Sequence, residues 1–134
     1  MRYGCIDVGL KRIGIAMCLQ RDIVVPLKAI IRKNRNQAAT EVDNFLKEWS
    51  IDILVVGIPK GGSSSEEMQR RIEHFVALLK FDKEIIFQDE YASSLEAKEM
   101  MCGVTRQKRD GKIDSMAAKI ILERYFHHKG IVNN

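Results

Sequence analysis

The spacing of apolar positions changes along this chain, and each change marks an element. Residues 3–8 are short or β-prone, Gly9, Leu10 and Lys11 make a turn, and residues 13–19 resume an extended pattern that includes Gly14 and Ala16. Two such runs joined by a few turn residues predict a hairpin. After a break at Asp22, residues 23–31 form a third β-rich run. Pro26 lies within it and belongs on an edge or bulged strand, because it lacks the amide that a central ladder needs. The chain is therefore expected to open with a three-stranded antiparallel meander.

Ala39, Val42, Phe45, Leu46 and Trp49 then recur at spacings of three and four, which predicts a helix over residues 37–49 with one buried stripe. Residues 51–56 are rich in Ile, Leu and Val, as expected of a strand covered on both faces, and the run ends at Gly57. Residues 57–65 are a Gly/Ser-rich loop. Ser63 and Ser64 each precede a glutamate by three positions (Glu66, Glu67), the capping-box pattern for a helix with Met68, Ile72, Phe75, Val76 and Leu79 on one face. Residues 84–87 make a fifth strand, and Ser93 with Glu96 caps a helix through residues 95–101 that Gly103 ends. Residues 106–112 are polar, basic and aperiodic, as in a mobile loop. Residues 113–128 form the last helix, with Met116, Ala117, Ile120, Ile121 and Tyr125 inward and Gly130 as its stop. The order β-β-β-α-β-α-β-α-α, without repeat or linker, predicts one α/β domain over residues 1–134: a mixed five-stranded sheet with helices on both faces.

Composition fits this reading. A chain of 134 residues, 46% hydrophobic and 30% charged, has the size and balance of one globular domain. At this length folding buries roughly two thirds of the extended-chain surface, so no disulfide or structural metal is needed for stability. The net charge of +4 favours an anionic partner. Cys5, Cys18 and Cys102 are odd in number, widely spaced and without a CxxC pair, the pattern of reduced thiols in a cytoplasmic protein and not of a zinc site. No secretory h-region is present, and no apolar run approaches the roughly 18 residues that span a bilayer. A cytoplasmic location without membrane attachment is the expectation.

The candidate chemistry lies in acids at the ends of elements. Asp7 closes an apolar strand, Asp89-Glu90 follow another, and Asp114 opens the last helix. A carboxylate within the run Tyr3 to Gly9 loses hydration at a cost of several kcal/mol unless it is paired or metal-bound. Each acid also has a plain structural use: Asp7 can cap the Gly9 turn, Asp89-Glu90 can be a solvated turn, and Asp114 can be an N-cap. If they converge, they form an oxygen-only cage for Mg²⁺ or Mn²⁺, ions that accept water-rich spheres held by one or two carboxylates and phosphate oxygens. Two such ions can activate a water and stabilise the departing 3′ oxygen of a phosphodiester. Lys11, Arg12, Lys60, Lys98, Arg106, Lys108, Arg109 and Lys112 would then hold the nucleic-acid backbone. The run Gly57 to Ser63 is not a Walker loop, since its lysine precedes the glycines and no Gly-Lys-Ser/Thr follows. His74, His127 and His128 are assigned no catalytic role.

Asp7-Val-Gly-Leu-Lys-Arg-Ile-Gly-Ile-Ala16, Val55-Val-Gly-Ile-Pro59, Asp89-Glu90 before a Ser-Ser-x-Glu-Ala stretch, and the run from Ile113-Asp114-Ser to Tyr125 resemble, in order, the motifs of the YqgF/RuvX family. The resemblance spans nearly the whole chain. It implies an RNase H-like fold related to Holliday junction resolvases and a nuclease role in pre-16S rRNA maturation. It also implies that Asp7, Glu90 and Asp114 are the catalytic and metal-binding acids, with Asp89 as a helper. Where the family usually has Arg after its Asp-Glu pair, this chain has Tyr91, which could stack on an unpaired base. The loop after Pro59 lacks the family's usual Asn and Asp.

The expected activity is metal-dependent endonucleolytic cleavage of pre-16S rRNA near its 5′ end, with ribosomal assembly particles as partners. Two alternatives stand beside it: a resolvase of four-way DNA, which requires a homodimer where rRNA cleavage is open to a monomer, and a non-catalytic nucleic-acid-binding module of ribosome assembly.

Overall fold

The computed structural model describes residues 1–20, 23–59, 65–89 and 112–129; in the last stretch the side chains described are those of residues 115–127. Five strands form one sheet: β1 (Tyr3–Val8), β2 (Arg12–Gln20), β3 (Ile23–Ile31), β4 (Ile53–Ile58) and β5 (Glu84–Asp89). Their order is β3-β2-β1-β4-β5, with β1–β2 and β2–β3 antiparallel and β1–β4 and β4–β5 parallel. The meander and the mixed sheet are as the sequence predicts. β3 is the edge strand, and Pro26 sits in it opposite Ala16, between two shifts of register. An edge position and an irregular ladder are the conditions under which a strand tolerates proline.

Three helices are described: α1 (Arg35–Glu48), α2 (Ser65–Ala77) and α3 (Lys112–Lys129). α1 begins where Asn34 accepts from the Gln37 backbone N–H while the Gln37 side chain accepts from the Asn34 backbone, a capping box with Asn in the first place. The serines expected to cap α2, the helix expected over residues 95–101, Cys102 and the basic stretch 106–111 lie outside the described residues.

Strand alternation sorts the core into two layers. Ile6 and Val8 of β1, with Leu54, Val56 and Ile58 of β4, join Val42, Phe45, Leu46, Ile72, Phe75 and Val76 of α1 and α2. Cys5 of β1, with Ile53 and Val55 of β4, joins Ala118, Ile121, Leu122, Tyr125 and Phe126 of α3. Every residue of β4 is buried, as a strand covered on both faces requires. The inward stripe predicted for the last helix is only half of its buried surface. Ala118, Leu122 and Phe126 face the sheet together with Ile121 and Tyr125, while Ala117 and Ile120 cluster separately with Met116. A helix buried on two sides has no single apolar stripe for the spacing to reveal. Among the described residues, no helix is long and apolar enough to cross a membrane.

The start of the sheet is clasped by Asp52. Its carboxylate accepts from the Arg2 backbone N–H at 2.8 Å, its own N–H donates to the Arg2 carbonyl at 2.9 Å, and Lys83 lies 3.6 Å away. The Arg2 hydrogen bond holds the carboxyl below its ordinary range, partial desolvation opposes this, and Lys83 adds to the lowering. A carboxylate whose folded pKa is depressed stabilises the fold above its unfolded pKa, and that contribution is lost as pH falls through the folded value. The stability difference between wild type and Asp52→Asn, followed by urea unfolding, should therefore shrink as pH drops below about 4. A difference constant from neutral pH into the acid range would mean that the clasp is not electrostatic.

Candidate active site at the carboxyl edge of the central strands

β1, β4 and β5 run parallel, so their carboxyl ends share one edge of the sheet, where open α/β sheets bind ligands. Asp7 is the penultimate residue of β1 and pairs with Gly14 of β2. Alternation with Tyr3 and Cys5 puts it on the face covered by α3. One step beyond the Ile6–Val56 pair, its neighbour on β4 is Gly57, which in turn pairs with Gln88 of β5. Asp7 is thus flanked across the sheet by two residues without side chains. The expectation of a buried carboxylate needs correction: Asp7 is only partly buried, because the chain turns two residues later and its strand ends at the open edge of the sheet.

The turn after Asp7 is tightly held. The Gly9 N–H donates to the Arg12 carbonyl at 2.9 Å, and a Cβ at Gly9 would stand 2.7 Å from that oxygen, so the closure requires glycine. From the residue after β3, the Arg32 backbone N–H donates to the Lys11 carbonyl at 2.9 Å, and its guanidinium donates to the Gly9 carbonyl at 2.6 Å while lying over the Phe75 ring at 5.3 Å.

The amino end of α3 is pinned beside Asp7 by Ser115. This buried hydroxyl accepts from the Ile15 backbone N–H at 3.3 Å and donates to the Leu27 carbonyl in a short hydrogen bond. Ile15 and Leu27 are cross-strand partners at a shift in the β2–β3 register, so one hydroxyl bridges the irregular ladder and ties α3 to both strands. Ile15 follows Gly14, the partner of Asp7, and Asp114 precedes Ser115. The backbone of Asp114 is thereby brought to the Asp7 end of the sheet. Asp114 is the third residue of α3, inside its first turn. The N-cap use considered for it from sequence does not hold, because the helix begins two residues earlier, at Lys112.

Asp89 ends β5 opposite Ile58. It alternates with Ile85, on the α1/α2 layer, and so shares the face of Val8 and Ile58 and not that of Asp7. Gln88 falls in the row of Asp7 and Gly57, and sequence reading missed it because a glutamine before two acids carries no motif. Glu90, Lys60, Tyr91, Arg106, Lys108 and Arg109 lie outside the described residues, as does the side chain of Lys112, the first residue of α3. Lys11 is exposed and Arg12 half-buried at the β1–β2 turn. Among the described residues no three His, Cys, Asp or Glu side chains stand close enough to hold a metal ion; of the three expected ligands, only the Asp7 side chain belongs to that set.

With this geometry in view, the fold can be placed. Thermus thermophilus RuvC in complex with Holliday junction substrate matches with a TM-score of 0.59 at 9% identity, over 98% of this chain and 97% of that one. At that identity the likeness is one of fold, the RNase H-like fold of the resolvase class of nucleases. The profile of the RuvX family, described as Holliday junction resolvase, matches residues 1–128, and the chain belongs to that family. A Sulfurovum protein named "Putative pre-16S rRNA nuclease" is 66% identical over 125 residues, covering 93% of this chain and 98% of that protein. A protein of the same name from Campylobacter jejuni subsp. doylei is 58% identical over 126 residues, covering 94% and 97%.

The Ser115 bridge generates a test. Ser115→Ala removes the partner of a buried amide and of a partly buried carbonyl together, and should cost about 1–3 kcal/mol in urea unfolding, since an unsatisfied buried polar group carries its desolvation penalty. Near-wild-type stability would show that the β2–β3 ladder closes without the hydroxyl.

Proposed function

We propose that this protein is a metal-dependent endonuclease that hydrolyses phosphodiester bonds in precursor 16S rRNA, trimming its 5′ end during ribosome maturation. The observation that carries the reading is the position of Asp7: a carboxylate at the carboxyl end of the central strand, between Gly14 and Gly57, beside the anchored start of α3. The names of the relatives supply the RNA substrate.

Asp7 would hold both of two Mg²⁺ or Mn²⁺ ions, and Glu90 and Asp114 would each support one. The donor set fits these ions, because it is all carboxylate oxygen, and Asp7 stands between Gly14 and Gly57 at the carboxyl end of its strand. When bound, such ions supply an activated water and charge stabilisation at the departing 3′ oxygen. The chain contributes position and charge. Asp89 faces the other layer and is set aside as a ligand in favour of Glu90. Lys11 and Arg12 stand at the turn beside Asp7, and Lys60, Arg106, Lys108, Arg109 and Lys112 would hold further phosphates while Tyr91 stacks on a base. We place this activity in the cytoplasm, on ribosomal assembly particles, in a single domain that acts as a monomer or a homodimer.

The family description favours a second reading, cleavage of four-way DNA. Such a junction presents two symmetric scissile strands, so this reading requires a homodimer, and sedimentation showing only monomer on junction DNA would exclude it.

Asp7→Asn should reduce Mg²⁺- or Mn²⁺-dependent cleavage of a precursor 16S transcript by more than about 100-fold, the upper range for losing only a supporting partner of a metal ligand. RNA binding in chelator should persist. Apo-protein melting should be unchanged or raised, because crowded carboxylates repel when no cation is bound. Undiminished cleavage by the variant would remove the assignment, and a large fall in melting temperature would make Asp7 structural.

A further inference from the structure

On the other side of the β1–β2 turn from Asp7 lies a groove of about 960 Å³, bounded by Val8, Leu10, Arg32 just after β3, the start of α1 and the first three turns of α2. Among the described residues, four arginines line it, Arg32, Arg35, Arg70 and Arg71, with His74 among them, against Glu67 and Glu73. Glu67 is already engaged by Arg71 at 3.0 Å. We infer that this groove is a second anchoring site for nucleic-acid phosphates, which receives the stretch of the same strand that flanks the phosphate at Asp7.

Three observations support the assignment. Arg32 is fixed in place, its guanidinium donating to the Gly9 carbonyl and resting over Phe75, so a planar fork suited to phosphate is presented without further ordering. Arg32 also stands beside Arg35 without a carboxylate partner for either among the described residues. Partial burial, and then the charge of Arg35, lower the Arg32 pKa, a cost that an anion between the two guanidiniums would relieve. Finally, Arg35 approaches Nδ1 of His74 at 3.4 Å. This places the imidazole ring in the polar lining of the groove, within reach of the Arg35 guanidinium.

The groove begins at Val8, the residue after Asp7, and on the opposite face of the same strand end. A strand whose scissile phosphate lies at Asp7 crosses the Gly9 turn directly into it. Leu10, 65% exposed at the lip, gives a sugar or base edge an apolar rest at that crossing.

This inference rests on the nuclease reading for its ligand, but binding can be measured apart from cleavage. A labelled single-stranded RNA is titrated with the protein in chelator, by fluorescence anisotropy, over a series of salt concentrations. Arg35→Ala with Arg70→Ala should lower the slope of log Kd against log salt by about 1.4, since each phosphate contact in a single strand contributes roughly 0.7. Kd at low salt should weaken on the order of tenfold, with melting unchanged because both side chains are exposed. Arg70→Ala alone should give about half the change in slope. Lys47→Ala with Lys80→Ala, at the far end of α1, serves as the charge-matched control and should leave the slope unaltered. An unchanged slope in the arginine variant, or an equal change in the lysine control, would overturn the groove, as would loss of binding to an acidic peptide with RNA binding intact. A wild-type slope in Asp7→Asn together with lost cleavage leaves the two claims separable. Lost slope without any cleavage by wild type sinks the nuclease reading alone, and cleavage with an unaltered slope sinks the groove alone.

Discussion

One hydroxyl decides how the two halves of this fold meet. Ser115 accepts from Ile15 and donates to Leu27, residues from two strands of the amino-terminal meander, while it belongs to a helix about a hundred positions further along the chain. Apolar burial alone would let α3 slide or rotate on the sheet, because contacts among Val24, Val55, Ala118, Leu122 and Phe126 are non-directional. A buried hydroxyl that must satisfy one donor and one acceptor cannot slide without leaving both unpaired. The register of α3 on the sheet is therefore fixed at its amino end. That end is the one adjoining Gly14 and Asp7.

The position of Asp7 follows from two simple constraints acting together. Strand pleating assigns it to the α3 face with Cys5, and the parallel pairing of β1 with β4 assigns it to the edge at which β4 and β5 also finish. Glycine on either side keeps the carboxylate row free of competing bulk. The same pleating separates Asp89 from Asp7, although the two lie at the same edge and only two strands apart, roughly 10 Å at the usual inter-strand spacing. Proximity in the sheet is not proximity at a site when the residues face opposite layers.

The sequence made local patterns legible and long-range geometry illegible. The meander, the fully buried β4, the edge position implied by Pro26 and the stripe of α1 could all be read, because each depends on spacing within a dozen residues. Asp7 could be singled out because a carboxylate in an apolar strand conflicts with its surroundings. The bridge at Ser115 was not readable: its partners are an amide and a carbonyl, which every residue has, exposed by a register shift that leaves no mark in composition. The face of Asp89 was equally hidden, since alternation gives a face only once the register of β5 against β4 is known. Arg32 and Arg35 carry no mark in the sequence for the same reason. Their meaning depends on Phe75 and His74, about forty positions away.

Arg32 also joins the two basic and acidic regions mechanically. Its backbone N–H and guanidinium hold Lys11 and Gly9, the residues that turn the chain after Asp7, while its charged face lines the arginine groove. An anion seated on that guanidinium would draw on the same group that fixes the Gly9 turn. Since Gly9 admits no Cβ without striking the Arg12 carbonyl, the turn has little room to yield. Occupancy of the groove would accordingly be felt at the end of β1 as a change in restraint more than in position. A rigid turn between a carboxylate on one face and guanidiniums on the other keeps the two charge regions at a constant separation. Such a fixed spacing suits a ligand whose charges recur at regular intervals, as phosphates do along a polynucleotide.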